Sequence, residues 1–175
     1  KNDANKASEN FTKAKTLIAD KSVKKSDKTK VLCEIAENFI YSPKKDLAQA
    51  EAILMEAEKN DALNTEVYLL QGDVFLEKDP TNGTPAMAKY NKALEVNPKL
   101  AKAIIRQGKL YRRAGNPQLA LDKYKEAEAL DSTFAPAYRE KAELYFLAGK
   151  KALAISNYEK YLQLNQNLSA KQRYA

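Results

Sequence analysis

Residues 86–93 read Ala86-Met87-Ala88-Lys89-Tyr90-Asn91-Lys92-Ala93, and this stretch decides the fold because the chain repeats it. Ala120, Tyr124 and Ala127 restate its frame 34 residues later, and Ala154, Tyr158 and Tyr161 restate it after another 34. Small, aromatic and small residues at i, i+4 and i+7 occupy one face of a helix. A second helix precedes each copy. Tyr68, Gly72 and Phe75, then Ile104, Gly108 and Tyr111, then Tyr138, Ala142 and Tyr145 mark its face. An earlier pair is carried by Leu32, Ala36 and Phe39, followed by Ala50, Leu54 and Ala57.

Turn residues punctuate the pairs. Gly115 and Gly149 fall between the two helices of their pairs, where a left-handed residue closes a helix. Pro117 falls in the first turn of the next helix, where its missing N–H costs little. Pro98 follows a second helix that it cannot continue. The stretch from Asp79 to Pro85 and the stretch around Tyr41-Ser42-Pro43 are each two residues longer than the turns at Gly115 and Gly149. Between Ala19 and Thr29 lies a polar run, Asp20 to Asp27, that reads as a longer connection.

A helix–turn–helix unit of about 34 residues has the tetratricopeptide period. With the columns above, the chain is similar to the tetratricopeptide repeat (TPR) family over nearly its whole length. It departs from that pattern at the residue before the small one, which is Gln71, Gln107 or Lys141 in place of Leu. The resemblance implies an all-α, right-handed superhelical solenoid of antiparallel helix pairs. Its repeats run about 29–64, 65–100, 101–134 and 135–167, with partial repeats at 4–20 and 168–175. Ala7, Phe11 and Ala14 carry the second-helix pattern of the first partial repeat. A chain that starts and stops within repeats is expected to be a piece of a longer array, since such arrays need polar capping elements.

Composition bounds the function. The 175 residues include 30 Lys plus Arg, 23 Asp plus Glu, one Cys and no His. No His-dependent triad or imidazole metal site is available. One Cys forms neither an internal disulfide nor a cysteine zinc site, and Cys33 reads as a small apolar packing residue. Ser22-x-x-Lys25 and Ser42-x-x-Lys45 lack the partner motifs that would give this spacing a catalytic meaning. Asn10-Phe11-Thr12, Asn82-Gly83-Thr84 and Asn167-Leu168-Ser169 fit the glycosylation acceptor pattern, but Phe11 reads as core. No phosphate loop, dinucleotide fingerprint or metal-spaced carboxylate set appears. The expectation is a non-enzymatic protein with no cofactor, no metal and no membrane-spanning segment.

In the resembling family the first helices of successive repeats line a concave groove. The matching positions include Leu69, Leu70 and Asp73 in the second repeat, Lys102, Arg106, Lys109 and Arg113 in the third, and Arg139 and Phe146 in the fourth. Residues 99–113 hold six basic residues and no acidic one, whereas residues 31–80 hold four basic and eleven acidic. Lys102, Arg106, Lys109 and Arg113 form a stripe at i, i+4, i+7 and i+11. Guanidinium groups suit carboxylates and phosphates. The stripe reads as an anion site for a peptide with an acidic or carboxylate feature, or as a face that is solvated or paired with Glu66 and Asp73. The leucines with Phe146 and Leu147 read as apolar pockets, or as packing between helices.

One TPR subfamily clamps chaperone-tail carboxylates. Lys102 and Arg106 match its pattern, but Cys33, Glu37 and Leu70 stand where it needs polar residues, so that ligand is not implied. A protein-interaction scaffold is the expected role. An RNA-binding helical repeat is the alternative from another class, although the acidic first repeats would repel a phosphate backbone. An accessory protein of bacterial envelope assembly or secretion is a third reading. The opening Lys1-Asn2-Asp3 suits a processed product, which leans toward an exported or periplasmic protein and leaves a cytoplasmic one open.

Overall fold

The computed structural model describes residues 22–166 together with Ala14, Thr16 and Asp20. The partial repeats at 4–20 and 168–175, apart from those three residues, lie outside the described residues. So do the acceptor motifs at Asn10 and Asn167. The chain divides into two compact units, Lys1–Val96 and Asn97–Ala175.

The first unit holds α1 (Lys25–Tyr41), α2 (Leu47–Asn60), α3 (Thr65–Lys78) and α4 (Thr84–Val96). The second holds α5 (Ala101–Arg113), α6 (Pro117–Leu130), α7 (Ala135–Leu147) and α8 (Lys151–Gln166). No strand occurs among the described residues. Within each unit, consecutive helices pack as hairpins: α1 with α2 and α3 with α4, then α5 with α6 and α7 with α8. The second helix of one hairpin packs on the first helix of the next, α2 on α3 and α6 on α7. The first helices also meet, α1 with α3 and α5 with α7. Each unit is therefore all-α and built of antiparallel helix pairs, with one hairpin in each of the four expected repeats.

The repeating columns explain the hairpins. Gly72 of α3 faces Tyr90 of α4 so closely that a Cβ on Gly72 would stand 2.3 Å from the ring Cε1. Gly108 of α5 and Tyr124 of α6 repeat the arrangement at 2.4 Å. A hydrogen at the small position is what admits the ring. Ala86, Tyr90, Ala93, Ala120, Tyr124 and Ala127 are all buried. In the first unit they join a core that includes Leu32, Ile40, Ile53, Leu54, Val67 and Val74.

The turns follow their sequence signals. Gly115 and Gly149 take φ of +74° and +71°. In the turn after α5, Gly115 N–H donates to Arg112 O at 3.1 Å and Asn116 N–H to Tyr111 O at 2.9 Å. These reverse bonds satisfy the last carbonyls of the helix. Five residues separate α1 from α2 and α3 from α4, against three in each hairpin of the second unit. Those are the two-residue extensions read from the sequence. Asp46 caps α2 by accepting from Gln49 N–H at 3.0 Å, and Asn64 caps α3 by accepting from Glu66 N–H at 3.1 Å.

One expectation is corrected. The polar run Asp20 to Asp27 is not all connection, because α1 already begins at Lys25. The side chain of its N-cap residue, Lys24, makes no capping bond, so no capping signal announces the start. Asp27 in the first turn complements the positive end of the helix dipole.

Candidate functional site

The second unit carries the predicted basic stripe on α5. Lys102, Arg106 and Lys109 are half-buried and Arg113 is exposed. Arg139 of α7 is half-buried beside this helix, and Phe146 stands exposed at the end of α7. At the centre is Glu140, a first-helix groove position of the fourth repeat, whose side chain is only 2% exposed. Its Oε1 receives Arg139 Nη2 at 2.9 Å and lies 3.2 Å from Lys109 Nζ. Arg112 Nη1 sits 3.6 Å from Glu140 Oε2 and donates to Glu143 Oε2 at 2.6 Å.

Three cations therefore converge on one buried carboxylate, with a second carboxylate at the rim. The five groups leave a surplus of one positive charge. Burial works against the charge on Arg139 and Arg112, but the surrounding acidic groups together, led by the hydrogen bond to Glu140 for Arg139 and to Glu143 for Arg112, raise both pKa values. Part of the stripe is thus held by the neighbouring first helix α7, whose Glu140 pairs with Lys109. Arg139 Nε, Glu140 Oε2 and the Tyr124 hydroxyl are buried without a hydrogen-bond partner. Burial, and next to it the charge of Glu140, raises the Tyr124 phenol far above its ordinary pKa.

The repeat columns show how this cluster arose. Asp73, Lys109 and Glu143 occupy equivalent positions, directly after the small residue. In the first unit Asp73 is buried and accepts from both Tyr41 OH and Tyr90 OH at 2.6 Å. In the second unit that place holds Lys109, which turns to Glu140 instead. Tyr124, the counterpart of Tyr90, consequently loses its carboxylate acceptor.

The predicted groove residues of the second repeat do not form a surface. Leu69 and Leu70 are fully buried and Asp73 nearly so. From Val67 to Val74 every residue of α3 is buried. A helix buried all round has no polar face to offer. Of the two readings of Leu69 and Leu70, packing between helices fits their burial and apolar pockets do not, and Asp73, expected in the groove, instead ties two tyrosines. Cys33 is a buried apolar residue, as read from the sequence.

The departures from the family pattern also find partners. Gln71 Nε2 donates to Glu58 Oε2 at 2.7 Å, joining α3 to α2. Lys141 of α7 pairs with Glu128 of α6, and its Nζ lies 4.6 Å from the Tyr138 ring centroid. A polar pair replaces leucine packing at both junctions.

No helix among the described residues is long and apolar enough to cross a membrane. No protein-family model matches the chain, and no curated protein matches it in sequence. Solved structures do. A thermophilic TPR protein of Thermus thermophilus, TTC0263, aligns over 79% of this chain and 75% of its own, at 20% identity and a TM-score of 0.68. The crystal structure of MamA aligns over 79% of this chain and 78% of that one, at 19% identity and a TM-score of 0.58. Likeness at this identity establishes architecture, and with the repeat columns and helix pairs above it gives one answer: the chain has the fold of the tetratricopeptide-repeat proteins.

Proposed function

We propose that the chain is a non-catalytic scaffold that holds a peptide or protein partner bearing an acidic or carboxylate feature. The partner lies against the first helices α5 and α7 of the second unit. The observation that carries this reading is the convergence of Lys109, Arg112 and Arg139 on buried Glu140. A cation clamped by a buried carboxylate loses little side-chain freedom on binding, so the cost of ordering it falls. Lys102 and Arg106 extend the positive face along α5, and Phe146 offers an apolar contact at its end. A protein-interaction role also suits the fold, whose stacked pairs present first-helix side chains in rows.

The test is binding to synthetic peptides in which acidic side chains and a free C-terminal carboxylate are varied one at a time. Acidic peptides are expected to bind, and Lys102→Glu with Arg106→Glu to weaken them about tenfold or more, ~1.4 kcal/mol. Lys109 is left intact because a second carboxylate beside Glu140 would disturb the fold. Equal binding of neutral and acidic peptides, or unchanged binding by the double variant, refutes the proposal. Single-stranded RNA bound with a steep salt dependence would favour a phosphate-tracking role instead.

A further inference from the structure

The two hairpin turns of the second unit lie at the same end of their helix pairs, because α5 with α6 and α7 with α8 are antiparallel and α6 packs on α7. Aligned by their glycines, Arg112-Arg113-Ala114-Gly115 corresponds to Phe146-Leu147-Ala148-Gly149. The second of these turns is unusual. Phe146 is 63% exposed and Leu147 is 74% exposed, and Leu153 in the first turn of α8 is 46% exposed. Lys150 and Lys151 are exposed between them. The adjoining turn adds exposed Arg113 and half-exposed Leu119. Residues 144–158 contain no carboxylate, and neither do residues 110–121. The acidic side chains that flank these stretches are Glu143, bound to Arg112, Asp122, which accepts from Gln118, and exposed Glu159, two helical turns beyond Lys151.

We infer that this edge is a docking surface for an anionic lipid bilayer. Large apolar side chains interleaved with lysines match the headgroup boundary, where the apolar parts bury and the cations meet anionic lipid. The backbone of the turn suits that environment as well. Ala148 N–H donates to Leu144 O at 3.0 Å, Gly149 N–H to Phe146 O at 3.0 Å and Lys150 N–H to Tyr145 O at 2.9 Å. These three amides therefore need no water, which lowers the cost of bringing the turn out of bulk solvent. This surface meets the proposed peptide face at Phe146, but Leu147, Leu153, Lys150 and Lys151 belong to this edge alone.

The experiment is co-sedimentation of the full chain with vesicles of phosphatidylserine and phosphatidylcholine, against phosphatidylcholine alone. Binding to the anionic vesicles only is expected. Lys150→Glu with Lys151→Glu is expected to weaken it about tenfold or more. Leu147→Ser with Leu153→Ser is expected to do the same. All four positions are exposed, and unchanged helical circular dichroism checks the fold of each pair. The inference is overturned if the parent does not pellet with anionic vesicles, if it pellets equally with neutral ones, or if either variant pair pellets like the parent. It is also overturned if the edge proves to join two copies, seen as a concentration-dependent dimer that the leucine variants abolish without any vesicle binding. Binding of an acidic amphipathic peptide at the edge in the absence of vesicle binding overturns it too.

Discussion

Replacing Gly72 and Gly108 by alanine should give unequal losses, although helix propensity favours both changes. Glycine to alanine inside a helix gains about 1 kcal/mol from propensity alone. Against that gain, a Cβ at 72 would meet Tyr90 Cε1 at 2.3 Å, and one at 108 would meet Tyr124 Cε1 at 2.4 Å. Overpacking of this kind costs roughly 1–3 kcal/mol. The rings differ in what holds them. Tyr90 is tethered by its hydroxyl to Asp73 Oδ1 at 2.6 Å, and Asp73 also holds Tyr41. Retreat of the Tyr90 ring breaks a hydrogen bond to a carboxylate, worth about 1.5–3 kcal/mol. The Tyr124 hydroxyl has no partner, so its ring is released at no such cost. Gly72→Ala is expected to lose about 1.5–5 kcal/mol and Gly108→Ala about 0–2 kcal/mol. Urea unfolding followed by circular dichroism measures both, with Gly72→Ala/Tyr90→Leu as the relieved double variant. The reasoning fails if Gly108→Ala is as damaging as Gly72→Ala, or if Tyr90→Leu does not offset the added methyl group.

Two further changes probe the second unit. Glu140→Gln leaves Lys109, Arg112 and Arg139 without their shared carboxylate. Removing one member of a buried ion cluster costs about 3–5 kcal/mol, and the partial exposure of these cations reduces that to roughly 1–3 kcal/mol. A urea-unfolding change below about 0.5 kcal/mol, the range of a bland surface substitution, would contradict the cluster. The Tyr124 phenol is raised above its ordinary value of 10.0 in the folded protein, so its contribution is complete below pH 10 and is lost as the pH climbs above it. Tyr124→Phe should be neutral or stabilising by up to about 1 kcal/mol at pH 7, because it deletes an unpaired buried hydroxyl. It should also flatten the alkaline loss of stability, and an unchanged alkaline unfolding curve would refute that assignment.

The fold was legible because its determinants are local and periodic. Ala86, Tyr90 and Ala93 with their copies name one helix face, and Gly72 and Gly108 name the place where the partner helix comes close. The positive φ at Gly115 and Gly149 and the extended turns were equally visible, since turn chemistry is written in single residues. The start of α1 was not legible, because Lys24 leaves no capping mark. Leu69 and Leu70 stayed open between pockets and packing because a column position assigns a residue to one side of a helix. Burial of α3 on every side comes from packing, which no single repeat encodes. Glu140 was legible as a groove position but not as the shared partner of three cations. Its role depends on cations contributed by another helix as well as its own. The signal was present in the column Leu70, Arg106 and Glu140, where opposite charges occupy successive repeats.

The polar pairs that replace leucine at the helix junctions have a consequence for how such a chain can grow. Glu58, Asp61, Tyr68 and Gln71 have their counterparts in Glu128, Asp131, Tyr138 and Lys141, each 70 residues further on. The match extends to bonding: Tyr68 OH donates to Ala62 O at 2.7 Å and Tyr138 OH to Ser132 O at 2.9 Å. The intervening copy has Leu94, Asn97, Ile104 and Gln107 in those columns and shares neither tyrosine nor acid. The same polar wiring therefore recurs at the junction between the two hairpins of each unit. The natural module for duplication, deletion or grafting is a block of four helices, and chimeras cut at that spacing inherit matched partners. A cut at a single hairpin would instead set the ammonium of Lys141 against the leucine of the Leu94 column.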